Sequence, residues 1–337
     1  MDRGRRRLFI EVAAFVGALA LVLFLMYRAR PPLSHEESRV AMGTLVSMTV
    51  IGLDEGEASS AMEDAWAEIE RVDSLMTRYS DDSGVARLNA RGGGRAERPL
   101  ASVLHVALRV ARTTSGAFDP TVAPLVDLWG FGEGMVLPEH ADVRAALEMV
   151  DYERVRVDTT TLVVDLCGTE VDLDGVAKGY AVDAAVSALE SAGVTSALVD
   201  AGGDIGLLGR GPRRKWTIGI KDPRGEGLLG VLRLEGGSVA TSGDYQRFGM
   251  VDGVRYHHIL NPRTGYPARG VLSATVVCDD CVTADALATA VFVMGAVDGM
   301  AFIEATPGVE GVIVSGDESV DEVLVSSGLD DVFEDLR

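Results

Sequence analysis

The spacing of apolar positions along this chain changes period several times, and each change predicts an element. "RVAMGTLVSMTVIG", starting at Arg39, alternates and is rich in β-branched residues, which predicts a strand. "EASSAMEDAWAEIERVDSLMTRYS" then puts Met62, Trp66, Ile69, Val72, Leu75 and Met76 at helical spacing and predicts an amphipathic helix. "RLNARGGGRAERP" is a loop, and "ASVLHVALRVARTTSG" a second helix ended by Gly116. "FDPTVAPLVDLWGFGEG" mixes turn residues with aromatics as a loop and short helix, and "EHADVRAALEMV" is helical. "RVRVDTTTLVVDL" alternates like a hairpin, "TEVDL" reads as another strand, and "VDLDGVAKGYAVD" as a strand-to-helix junction. Strands are predicted over "ALVDAGGDIGLLG", "KWTIGIKDP", "LGVLRLEGGSVATSG", "YHHILNPRTGYP" and "SATVVCDD". The helix "VTADALATAVFVMG" and a helix–strand pair, "GMAFIEATPGVEGVIVSG", follow. Strands and helices interleave irregularly, which predicts an α+β body rather than a doubly wound sheet.

The N-terminus obeys another rule. "LFIEVAAFVGALALVLFLMY", residues 8–27, is apolar except for Glu11 and has the length that spans a bilayer. Four arginines precede it and Arg28 and Arg30 follow, a bias toward a cytoplasmic N-terminus. No small-residue cleavage site follows the run. The expected organisation is a transmembrane signal anchor over 1–30, a polar linker over 31–38 and a body over 39–337. That body would lie on the periplasmic or extracytoplasmic side of the inner membrane. The net charge of −20 argues against nucleic acid as a partner.

Candidate chemistry sits in three places. Only three of the 31 basic residues are lysines, and Lys178 lies early in a predicted helix, where a cation opposes the macrodipole. With Asp172, Asp174 and Gly175 before it, this junction suits a phosphate or carbonyl ligand. It suits equally an ordinary helix capped by Asp174 with Lys178 reaching solvent. Asp285 and Thr289, four apart on a helix, share a face and offer hard oxygen ligands of the kind Mg²⁺ takes. Taken alone, that pair reads more simply as a helix-start charge and a packed threonine. His257 and His258 point to opposite faces of a strand, so at most one need face a site, where it could act as a base; a surface hairpin histidine is the plainer alternative. Cys278 and Cys281 form a C-x-x-C without partners for a zinc site, leaving a local disulfide or two free thiols; Cys167 stands apart.

In order along residues 40 to 316, "MGTLVSMTV", "SLMTRYSDDSGVARLN", "GAFDPTVAPLVDLWGFG", "VDLDGVAKGYAVD", "VDAGGDI", "VATSGDY", "HHILNPRTGYP" and "TADALATAVFVMG" resemble the FAD:protein FMN transferases, the ApbE family. The resemblance implies an Mg²⁺-dependent enzyme that moves FMN from FAD onto a threonine hydroxyl of an acceptor protein, releasing AMP. It implies FAD contacts from Met42, Tyr79, Ala117, Phe118, Asp119, Asp172, Lys178 and Ile259. It implies Mg²⁺ ligands from the Gly175 carbonyl, Asp285 and Thr289, and His258 as catalytic base. The implied acceptor is a subunit of a membrane redox complex. Many family members are lipoproteins anchored through a cysteine after the signal, which this chain lacks. Alternatives are an FAD pyrophosphatase yielding FMN and AMP, or a flavin-binding protein without turnover.

Overall fold

The computed structural model describes residues 33–131, 135–212 and 214–337. Its main sheet has eight strands, named here in chain order: β1 (Ser34–Ala41), β2 (Thr44–Ile51), β3 (Ala197–Ala201), β4 (Ile205–Leu208), β5 (Gly237–Gly243), β6 (Val271–Cys278), β7 (Glu310–Gly316) and β8 (Val320–Val325). Their order across the sheet is their order in the chain, and every neighbouring pair is antiparallel. The irregular interleaving of the sequence is thus a simple meander carrying insertions, and the α+β expectation holds.

Eight helices are described, and all but two, Ala123–Trp129 and His140–Leu147, pack on one face of the sheet. They are α1 (Glu55–Met76), α2 (Gly84–Arg91), α3 (Arg98–Thr113), α4 (Ala123–Trp129), α5 (His140–Leu147), α6 (Ala177–Ser191), α7 (Cys281–Met294) and α8 (Ala296–Ala305). Asp54 starts α1 by accepting the Glu57 N–H at 2.9 Å, and its apolar stripe packs under Val46, Met48 and Val50 of β2. The opposite face packs on a three-stranded sheet of Trp216–Lys221, Leu228–Leu234 and Phe333–Asp335 through Ile205, Leu207, Ile218, Leu232 and Val312. A third cluster, Leu125, Trp129, Val143, Ala146 and Leu260, joins α4 and α5 to the chain after His258.

Several expectations change. "RVAMGTLVSMTVIG" is two strands, because Met42 (φ 51°) and Gly43 (φ 72°) turn the chain back between β1 and β2. β1 begins at Ser34, so most of the 31–38 linker is strand. "TEVDL" is no strand: the Asn89 side chain takes both the N–H and C=O of Val171, and Asp172 N–H donates to the Pro120 carbonyl. These bonds replace a ladder and hold the segment extended beneath the helices. The anchor over 1–30 lies outside the described residues, among which no helix is long and apolar enough to cross a membrane.

Candidate active site

The tight crossing of α6 and α7 organises the site. At Gly179 an added Cβ would lie 2.3 Å from the Cys281 carbonyl oxygen, so only glycine allows this approach. Asp183, one turn on, accepts the N–H groups of Cys281 and Val282 at 2.8 and 2.9 Å, pinning the α7 N-terminus. The crossing also lets Gly179 N–H donate to Asp285 Oδ2 at 3.0 Å.

Lys178 therefore points inward. Its ammonium pairs with Asp204, in the turn between β3 and β4, and stands 3.7 Å from Asp285 Oδ1. Both carboxylates are nearly inaccessible. Burial opposes the lysine's charge, but Asp204 and Asp285 outweigh it and hold its pKa above the ordinary value. Burial raises both carboxyls, with Lys178 opposing the rise. The solvent-reaching lysine is not realised. Nor is Asp174 a helix cap: α6 starts at Ala177 without a side-chain cap, and Asp174 N–H donates to Asp172 Oδ1 at 2.8 Å.

This charged group is one wall of a cleft. The wall brings Thr289, Ser242 and Gly175 close together. Thr289 Oγ1 lies 3.2 Å from Ser242 Oγ, and a Cβ on Gly175 would fall 3.5 Å from Thr289 Oγ1 and 3.2 Å from the Phe118 ring. Asp285 stands one helical turn before Thr289. Among the described residues no group of three His, Cys, Asp or Glu side chains is placed to hold a metal. A cation here would rely on one carboxylate, one hydroxyl and one carbonyl, with water or a ligand completing its shell.

The other wall is largely apolar: Val122, Val126, Phe131, Ile259, Leu260 and Pro262, with Tyr79 exposed at the rim. Phe131 stacks on Trp129 at 5.7 Å with rings 6° from parallel, and Trp129 Nε1–H donates to the Gly265 carbonyl at 2.8 Å. Asp119 also lines the cleft, but Thr121 and the Tyr152 N–H occupy its oxygens, so it mainly fixes its own loop.

The two histidines part company. His257 is buried: Nε2 donates to the Ala268 carbonyl at 2.8 Å and Nδ1 accepts the Ile259 N–H at 3.3 Å. Burial lowers its pKa to about 4. His258 faces the cleft. Burial and the nearby Arg247 guanidinium lower its pKa to about 3, so the ring is neutral at neutral pH. Nδ1 lies 3.2 Å from the Arg247 carbonyl, which can only accept; this bond puts the proton on Nδ1 and leaves a lone pair on Nε2. That is the state of a general base.

Of the expected site residues, Met42 alone lies outside this cleft. It lines an adjoining hollow that shares Tyr79, Asp174, Lys178 and Arg247, with the Arg247–Asp174 pair at 3.4 Å between the two. Three polar residues escaped the sequence reading. Asp204 lies in "ALVDAGGDIGLLG" and Ser242 in "LGVLRLEGGSVATSG", both read from the sequence as strands. Arg78, inside the motif "TRYS", is 3.6 Å from Asp172 Oδ2. That oxygen and Arg78 Nη1 are both buried without a hydrogen-bond partner, and burial together with Asp174 raises the Asp172 carboxyl to about 7. Cys278 and Cys281 are free thiols, so of the two readings of the C-x-x-C the disulfide is not formed.

Residues 42–313 match the model of the ApbE family. The chain belongs to the ApbE family. An ApbE relative from Treponema pallidum, an FAD:protein FMN transferase, is 33% identical over 85% of this chain and 86% of its own length. The solved ApbE protein of Thermotoga maritima superposes with a TM-score of 0.81 at 36% identity, covering 88% of this chain and 98% of that one. The flavin transferase ApbE of Vibrio cholerae gives 0.79 at 29% identity, over 90% of this chain and 100% of that one. The ApbE fold thus extends over most of the chain.

Proposed function

We propose that this chain is an FAD:protein FMN transferase, moving FMN from FAD onto a threonine hydroxyl of an acceptor protein and releasing AMP. The observation that carries this reading is His258, neutral and tautomerically fixed, in one cleft with an oxygen-donor wall and an apolar wall. The family and its transferase relatives support it.

In the reaction the threonine oxygen bonds to the phosphorus of the FMN half. The bond from that phosphorus to the bridging oxygen breaks, and AMP leaves with its electron pair. His258 Nε2 takes the hydroxyl proton as the new bond forms. The apolar wall, with Phe131 and Tyr79, accommodates the flavin ring, whose flat face suits aromatic stacking. Lys178 balances Asp204 and Asp285 and keeps the Asp285 carboxylate in place. The residues fit Mg²⁺: the Gly175 carbonyl, Asp285 and Thr289 would hold it, and it would there neutralise pyrophosphate oxygens.

The proposal extends to location. The apolar run 8–27 with its flanking arginines supports a membrane anchor and a body outside the cytoplasm, beside membrane redox subunits as acceptors. Incubation with FAD, Mg²⁺ and a threonine-bearing acceptor should yield a fluorescent acceptor band stable in SDS. Free FMN and AMP with an unlabelled acceptor would make the chain a pyrophosphatase. Intact FAD after long incubation would make it a binding protein.

A further inference from the structure

A hairpin stands at the cleft mouth. Its strands, Phe248–Val251 and Val254–His257, pair with no other strand among the described residues. The two-residue turn Asp252–Gly253, with φ of 52° and 79°, sets the register. Val251 faces Val254, Gly249 faces Tyr256 and, at the base, His258 N–H donates to the Arg247 carbonyl at 3.0 Å. Ladder bonds alternate, so these pairs carry them, and the N–H and C=O of Phe248 and Met250 point outward from the open edge. The side chains of the same two residues are 44% and 57% exposed, and Met135 packs on the opposite face at Gly249.

Two further facts bear on what this edge meets. Arg247 and His258, the last residues of the two arms, both line the cleft. Residues 245–270 hold four arginines (247, 255, 263 and 269); Arg247 pairs with Asp174 and Arg255 with Asp244, so the charge around the hairpin is largely balanced.

We propose that the outer edge of Phe248–Val251 docks the acceptor protein. An extended segment of the acceptor adds to it as a third strand and carries its threonine toward His258. The span from Met250 to Arg247 is three residues, about 10 Å, so a threonine a few residues from the paired stretch reaches the base. Strand addition supplies main-chain hydrogen bonds, while Phe248 and Met250 receive alternate side chains. The edge runs straight into the cleft through Arg247 and His258, which favours the protein that delivers the hydroxyl over a second copy of the chain. The inference rests on the transferase reading.

The test uses the full chain, FAD and Mg²⁺, with membranes from cells lacking this protein as the source of unmodified acceptor. Met250→Pro removes one outward N–H without touching the internal ladder, and Phe248→Glu with Met250→Glu replaces the apolar pair with two carboxylates. The amount of membrane giving half-maximal flavin labelling should rise about tenfold in either variant, the size of one or two lost hydrogen bonds. The maximal rate and the FAD affinity, read from flavin fluorescence, should stay unchanged. Unaltered half-saturation in both variants would overturn the docking surface, as would a loss of FAD affinity large enough to account for the effect. A self-association of the parent chain abolished by Met250→Pro would assign the edge to a second copy instead. Absence of labelling by the parent chain would remove the transferase reading beneath it.

Discussion

On the α6–α7 side of the cleft the charges answer one another: Lys178 meets Asp204 and Asp285, and Gly179 N–H holds the remaining Asp285 oxygen. On the side of residues 247–260 the polar groups are left incomplete: among the described residues Nε2 of His258 has no partner and the outer edge of the hairpin is unpaired. The first region is buried in the main core and packed helix on helix. The second stands partly in solvent on a two-stranded support. Groups that hold a ligand in place gain from being fixed before it arrives. A group that must take a proton from an incoming hydroxyl needs an unfilled valence and an approach route.

The largest expected effect on the closed side comes from Asp204→Ala, which strands part of the Lys178 charge. A loss of about 3 kcal/mol in unfolding free energy is expected, read by denaturant titration, with transfer falling in parallel. A stability change within experimental scatter would mean that solvent already satisfies Lys178, and the two walls would differ less than described.

Gly179→Ala tests the helix crossing itself. The new Cβ meets backbone, which cannot rotate away, so a loss of about 2 kcal/mol is expected, with weakened FAD binding as α6 and α7 separate. Unchanged melting and FAD affinity would show that the crossing tolerates a side chain.

The smallest effect sharpens the contrast within the histidine pair. His257 has a native pKa of about 4, below its unfolded value near 6.5. Its stabilising contribution is complete above pH 6.5 and is lost as pH falls from there through about 4, because only the unfolded chain takes up the proton. His257→Gln removes this term, so the stability difference between parent and variant should shrink by about 1 kcal/mol between pH 7 and 5.5. Taking the difference cancels the buried carboxyls Asp172 and Asp183, whose raised pKa values act in the opposite sense. A pH-independent difference would place the buried histidine's titration elsewhere.

Much of the site was legible where chemistry follows local period. Asp285 and Thr289 fall on one helix face because of their spacing, and strand alternation allows one of two adjacent histidines to face the cleft. What escaped depends on distant partners. Nothing near Asp204 announces that Lys178, 26 residues earlier, will turn toward it, and the stretch around it reads only as a strand. The lysine's rarity marked the right residue, although its ammonium meets carboxylates of the protein. "TEVDL" has the composition of a strand, yet Asn89, 82 residues before Val171, takes the bonds a neighbouring strand would make. The β1–β2 hairpin was hidden because Met42 adopts a left-handed conformation seldom seen outside glycine.

The central claim is that His258 is the base that frees the acceptor hydroxyl while the opposite wall holds the nucleotide. It is tested most directly by measuring FAD affinity and covalent flavin transfer together in His258→Ala. Transfer should fall about 10² to 10⁴-fold with FAD affinity retained. Equal losses in both would make His258 a binding residue, and undiminished transfer would contradict the account.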